Sequence, residues 1–121
     1  MKSIAITFLI IIGLISCKHT PVVEPKVPVN CDSVNVSYSR DITAILKNSC
    51  YDCHSGLAPV GGLHLEYYNV DSSLASDNHY LLNIVNGNPD YIYMPPPPYA
   101  KLTTCELAKI KVWTDAGCPN N

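Results

Sequence analysis

Apolar residues fall in four stretches along this chain, separated by segments that carry prolines and glycines. The first, Ile4 to Ile15, is apolar throughout apart from Thr7 and Gly13 and follows Lys2. About a dozen residues is too short for a helix across a bilayer, so residues 1–16 read as an export signal peptide. The second stretch carries Ile42, Ile45, Leu46 and the step to Ser49, the i, i+3, i+4, i+7 stripe of an amphipathic helix over Ser39–Ser49. Ser37 or Ser39 is placed to cap it, and Asp41 would lie at the positive end of its dipole. The third holds Leu81, Leu82, Ile84 and Val85 before Gly87, which predicts a short buried helix over Asp77–Asn86. The fourth is the best specified. Thr103 and Glu106 form a T-x-x-E capping box, with Leu102 at N′ and Leu107 at N4 as a hydrophobic staple. Leu107, Ile110, Trp113 and Thr114 then share a face, and Gly117 followed by Pro119 ends the helix. No alternating strand run and no internal repeat is present, so the predicted fold class is all-α.

Composition narrows this picture. Residues 18–30 hold three prolines in thirteen positions without helix or strand periodicity, the pattern of a semi-extended tether that includes His19. The folded part then runs over 31–121, about ninety residues, which buries only a modest core. The single Phe lies in the leader and there is one Trp, so a large apolar cofactor would supplement that core. The formal charge is −2, and −3 once the leader with Lys2 is removed; Lys and Arg are scattered. That excludes a basic footprint for nucleic acid.

The most specific chemistry is Cys50-Tyr51-Asp52-Cys53-His54, the C-x-x-C-H signature of c-type haem attachment. Two thiols one turn apart add to the haem vinyl groups along one porphyrin edge, and the adjacent imidazole supplies the proximal nitrogen ligand. Forty residues later stands Met94, the only methionine outside the leader, in Tyr93-Met94-Pro95-Pro96-Pro97-Pro98. Alone, it reads as a gap-filling core residue. Beside a haem motif, in a loop stiffened by proline, its thioether is the candidate sixth ligand. His64 and His79 are the competing distal ligands, and Tyr67, Tyr68 or Tyr91 are candidate partners for a haem propionate.

No paired carboxylates, phosphate loop or Ser/His/Asp arrangement offers other catalysis. Two function classes remain: a single-electron carrier with both axial positions filled, and a haem enzyme or a gas or peroxide sensor with an open or bis-histidine iron. Without haem, Cys50, Cys53 and His54 would belong to a zinc site, or the two cysteines to a redox dithiol that lacks the usual βαβ setting.

Leu14-Ile15-Ser16-Cys17 resembles the lipobox of bacterial lipoproteins. That resemblance implies lipidation of Cys17, a tether over 17–30 and a location in the bacterial cell envelope, held to a membrane by the anchor. Several acyl chains are needed for firm anchoring, since one gives only marginal binding. The remainder resembles the monohaem cytochrome c family, in particular small cytochrome c-like domains of envelope lipoproteins. The matching pieces are S-x-S-R-D-I-T-A-I-L-K-N-S-C-Y-D-C-H, G-G-L-H-L, M-P-P and L-T-T-C-E-L-A-K-I-K-V-W-T-D-A-G, which span nearly all of residues 33 to 118.

The resemblance implies a cytochrome c-like fold of three or more short helices around one covalent haem c. The first and last helices would cross, with Ile42, Ile45 and Leu46 against Ile110 and Trp113. Cys50 and Cys53 would hold haem, His54 and Met94 would be its axial ligands, and Leu63 and Leu65 would lie along its edge. The function implied is electron transfer with redox partner proteins, not enzymatic catalysis. The stretch between Leu65 and Met94 departs from well-known carriers, so no pocket residue is transferred there. Cys31, Cys105 and Cys118 allow three pairings. The resemblance favours Cys31–Cys105, leaving Cys118 free or paired between chains.

Overall fold

A computed structural model of the protein describes residues 30–121. The leader, Cys17 and the tether up to Val29 lie outside the described residues. Among the described residues there are helices and no strands. A π-helical turn, Tyr38–Ile42, runs directly into α1 (Thr43–Ser49). Then come α2 (Tyr51–His54), a 3₁₀ turn (Val60–Gly62), α3 (Tyr68–Ser76), α4 (Tyr80–Asn86) and α5 (Thr104–Asp115). None of these helices is long and apolar enough to cross a membrane.

The expected first helix is present, but its start is wider than an α-turn. The Ser37 hydroxyl accepts from the Arg40 N–H at 3.2 Å while the Asp41 carboxylate accepts from the Ser37 N–H at 3.0 Å, a reciprocal cap. The Thr43 N–H reaches the Tyr38 carbonyl, and the Thr43 hydroxyl donates to the same oxygen at 3.0 Å. Two further amides of this turn, on Tyr38 and Ser39, are satisfied by Asn121 at 2.8 and 3.0 Å.

α5 packs against this π-turn. Its capping box is formed in both directions, and Leu102 is buried beside the half-buried Leu107 as the staple requires. At its other end the Gly117 N–H donates to Thr114 and the Cys118 N–H to Trp113, a Schellman motif that uses the positive φ of Gly117 (84°). Ile42, Ile45, Leu46, Ile110 and Trp113 share one core, as expected. Trp113 is fully buried, stacked on Tyr38 at 5.6 Å, and its Nε1 donates to the Pro119 carbonyl at 2.9 Å. Tyr38 also meets Tyr68 edge-on at 4.9 Å, so tyrosines fill space that phenylalanine would otherwise occupy.

Two links tie the beginning of the domain to α5. Cys31 and Cys105 form a disulfide with Cα atoms 5.6 Å apart. Asp41 is buried between Lys109 of α5 and Arg40, each at 2.7 Å. Burial alone would raise the Asp41 carboxyl, but the hydrogen bonds from Lys109, Ser37 and Arg40 outweigh it and hold the group at about 2. Cys118 keeps a free, buried thiol, which places it inside its own chain's core and not at a surface for pairing between chains.

The middle of the chain departs from expectation. The helix predicted over Asp77–Asn86 begins only at Tyr80, because Asn78 and His79 adopt positive φ (46° and 56°) and break it from the preceding turn. That preceding turn is α3, a helix the apolar pattern did not reveal.

Candidate functional site

α1 hands the chain to the cysteine motif without a loop. The Cys50 N–H closes on the Leu46 carbonyl at 2.8 Å, and the His54 N–H on the Cys50 carbonyl at 2.9 Å. The motif is therefore one helical turn, the local geometry that sets two thiols and an imidazole along one side. After it the chain doubles back. The Leu65 N–H donates to the His54 carbonyl at 2.8 Å, and the Gly56 N–H to Glu66 Oε1 at 3.0 Å, which closes the loop that carries Leu63 and Leu65.

The opposite wall comes from α4 and the proline segment. The Met94 N–H donates to the Ile84 carbonyl at 2.9 Å, pinning the methionine to α4. Behind it Tyr93 packs on Gly87, where a Cβ would lie 3.2 Å from the ring, and Lys101 sits 4.7 Å over the outer face of that ring. Gly87 closes α4 with φ of 74°, a left-handed backbone that favours glycine, and an added Cβ would press on the Tyr93 ring.

Between the walls lies an open cleft with a cavity volume of about 230 Å³. Cys50, Cys53, His54 and Met94 all line it, together with Leu63 and Leu65. The remaining surface is mainly aliphatic, from Leu74, Leu81, Ile84 and Val85. Burial in this wall pushes the Cys50 thiol up to about 11, so it stands protonated at neutral pH. His54 is half-buried, and its Nδ1 is buried without a hydrogen-bond partner among the described residues.

These observations test the fit of a c-type haem. Two thiols, one imidazole and one thioether line a single, mainly apolar space. The donor set and its setting match the group.

The competing ligands are elsewhere. His64 pairs with Glu66 at 3.2 Å, and His79 with Asp115 of α5 at 3.4 Å; neither lines the cleft. Tyr67, Tyr68 and Tyr91, the candidates for a propionate, do not line the cleft. Tyr68 donates to the Cys118 carbonyl at 2.7 Å, Tyr67 is exposed beside His64, and Tyr91 packs edge-on against Tyr80. The cleft instead takes Tyr80 and Tyr99. The Cys53 thiol beside Tyr99 pushes its phenol up, so the residue just after the proline run reaches the motif. Its position after four prolines was the available signal, since a stiff loop pinned at Met94 carries its next side chain back over the same space.

Asp71 was not legible either. It lies in α3, fully buried, and accepts from the Tyr38 hydroxyl at 2.7 Å. The chain matches no family model, no curated protein and no solved structure.

Proposed function

We propose that this chain is a lipid-anchored monohaem cytochrome of the bacterial envelope, related to the cytochrome c family, that carries single electrons between redox partner proteins at a membrane surface. The observation that carries the reading is the convergence of Cys50, Cys53, His54 and Met94 on one apolar cleft, although Met94 is forty residues from the motif and reaches it by a separate wall. Bound covalently, haem would supply a one-electron couple.

The chain's own residues then have distinct tasks. Cys50 and Cys53 would hold the group by thioether bonds. His54 would present a ring nitrogen from a helical turn fixed at both ends by backbone hydrogen bonds. Met94, pinned to Ile84, would offer its sulfur without needing a strong bond to hold the loop. The aliphatic wall from Leu63 to Val85 would exclude water and favour the less charged, reduced state.

The alternatives draw less support. A reactive dithiol needs a lowered thiol pKa, whereas Cys50 is raised. A zinc site needs a third and fourth ligand, and no group of three His, Cys, Asp or Glu side chains is placed for a metal ion among the described residues. An enzyme or sensor would need iron open to its substrate, and a thioether lining the same cleft, that of Met94, would compete for that place.

Expression in an export-competent, haem-attaching host tests the proposal by intact mass. The mature protein should carry one haem that denaturation does not release, plus the lipid mass at Cys17. A protein without covalent haem after such maturation would overturn the reading.

A further inference from the structure

α3 carries its least expected residue on its inward face. Asp71 has no solvent exposure, one carboxylate oxygen accepts from the Tyr38 hydroxyl, and the other, Oδ1, is buried with no partner among the described residues. Leu74, one turn along the same helix face, lines the cleft, and so does Leu65 shortly before α3. Burial first, and the Asp71 carboxylate second, push the Cys50 thiol in that wall upward.

Among the described residues no cation offsets it. Of the neighbouring elements, the π-turn offers Tyr38, Arg40 and Asp41, and Arg40 is committed to Asp41. From α2 comes Tyr51, with Cys50 just ahead of it, and from the loop before α3 comes Glu66. The neighbouring helix α4 presents Tyr80, with His79 ahead of it on Asp115. On α5, Lys109 binds Asp41, Lys111 binds Asp115, and Glu106 is held in the capping box. Every ionisable group that faces Asp71 is thus neutral, acidic or already paired.

We infer that Asp71 is a proton-coupling residue: it takes up one proton from solvent when the cofactor in the adjacent cleft gains one electron, and releases it on oxidation. This rests on the haem reading above. The balance is one electron from a one-electron donor reducing ferric to ferrous iron, and one proton converting the Asp71 carboxylate to the acid. The direction follows from charge. Reduction removes a positive charge from the cleft, so the carboxyl holds its proton more tightly in the reduced protein. Burial, with Glu66 adding to it and the Tyr38 hydrogen bond opposing it, pushes the carboxyl up to about 7, which puts the exchange in the physiological range. Tyr38 is the positioning residue, since its hydroxyl supports the charged form.

The test is a spectroelectrochemical titration of the matured full-length protein in detergent, between pH 5 and 9, beside Asp71→Asn and Tyr38→Phe. The parent's potential should fall as pH rises through neutrality, by about 59 mV in total for each tenfold difference in proton affinity between the redox states. Asp71→Asn should flatten this step, and Tyr38→Phe should move it to higher pH. Redox-difference infrared spectra should show a protonated-carboxyl band appearing on reduction, absent in Asp71→Asn. That band also serves in the parent alone if the variant does not fold. An unchanged pH step in Asp71→Asn, a flat parent potential, or no carboxyl band would overturn the inference while leaving the haem reading intact; absence of covalent haem would overturn both.

Discussion

The half of the domain that carries the cysteine motif and the half that carries Met94 are built by different means. On the motif side, local rules and long-range links agree. Ser37 and Thr103 cap their helices, a Schellman motif ends α5, the Cys31–Cys105 disulfide and the Asp41–Lys109 pair tie both ends together, and Trp113 fills the centre. On the methionine side, α3 and α4 have no side-chain N-cap, and α4 starts from a left-handed residue. There the loop is held by one backbone bond to Ile84, by proline stiffness and by the Tyr93–Gly87 contact. The contrast assigns rigidity to the wall that would hold haem covalently and adjustable positioning to the wall that would supply the weaker ligand.

Replacing both motif thiols breaks this comparison most completely. Cys50→Ala with Cys53→Ala should abolish covalent haem in the intact mass, whereas Met94→Ala should keep it and lose only sulfur ligation. Next in size is the disulfide. Opening Cys31–Cys105 by Cys105→Ser should cost about 4 kcal/mol by the chain-entropy argument, for a loop with 74 residues of separation, read by denaturant unfolding.

Asp41→Asn should cost roughly 2–3 kcal/mol, because Lys109 loses a buried partner. The pH dependence has a definite sign. The Asp41 carboxyl is lowered on folding, so its contribution is present above the ordinary value of 3.8 and is lost as pH falls towards 2. The Asn variant should lack that segment of acid sensitivity. On the opposite wall, Gly87→Ala should cost about 1–2 kcal/mol from the left-handed backbone. The added methyl would also press on Tyr93 and should weaken the sulfur-ligand signal beyond that stability loss. Thr103→Ala should be smallest, about 1 kcal/mol for one lost cap, with the haem spectrum unchanged.

The same division explains what the residues disclosed beforehand. α5 was legible to within a residue because its capping box, staple and terminal glycine are all local signals. The π-turn and α1 showed their apolar stripe, though not the wider first turn set by Thr43 closing on Tyr38. α3 was hidden because Asn69, Asp71, Ser72 and Ser73 are poor helix formers, and the residue that faces inward is a carboxylate. Its helicity comes from packing against α4 and α5, which no local pattern reports. Cys50, Cys53, His54 and Met94 were readable as types and spacing. Their convergence on one cleft, and the roles of Tyr80 and Tyr99 in it, depend on how the middle segment folds back.

The most direct test of the whole account is the visible spectrum of the matured protein, oxidised and then reduced, with Met94→Ala alongside. A sharp c-type α-band is expected on reduction and, in the oxidised parent alone, the weak long-wavelength iron–sulfur band. An oxidised parent that lacks the sulfur band, with a spectrum identical to that of Met94→Ala, would contradict the assignment of the two walls to one haem.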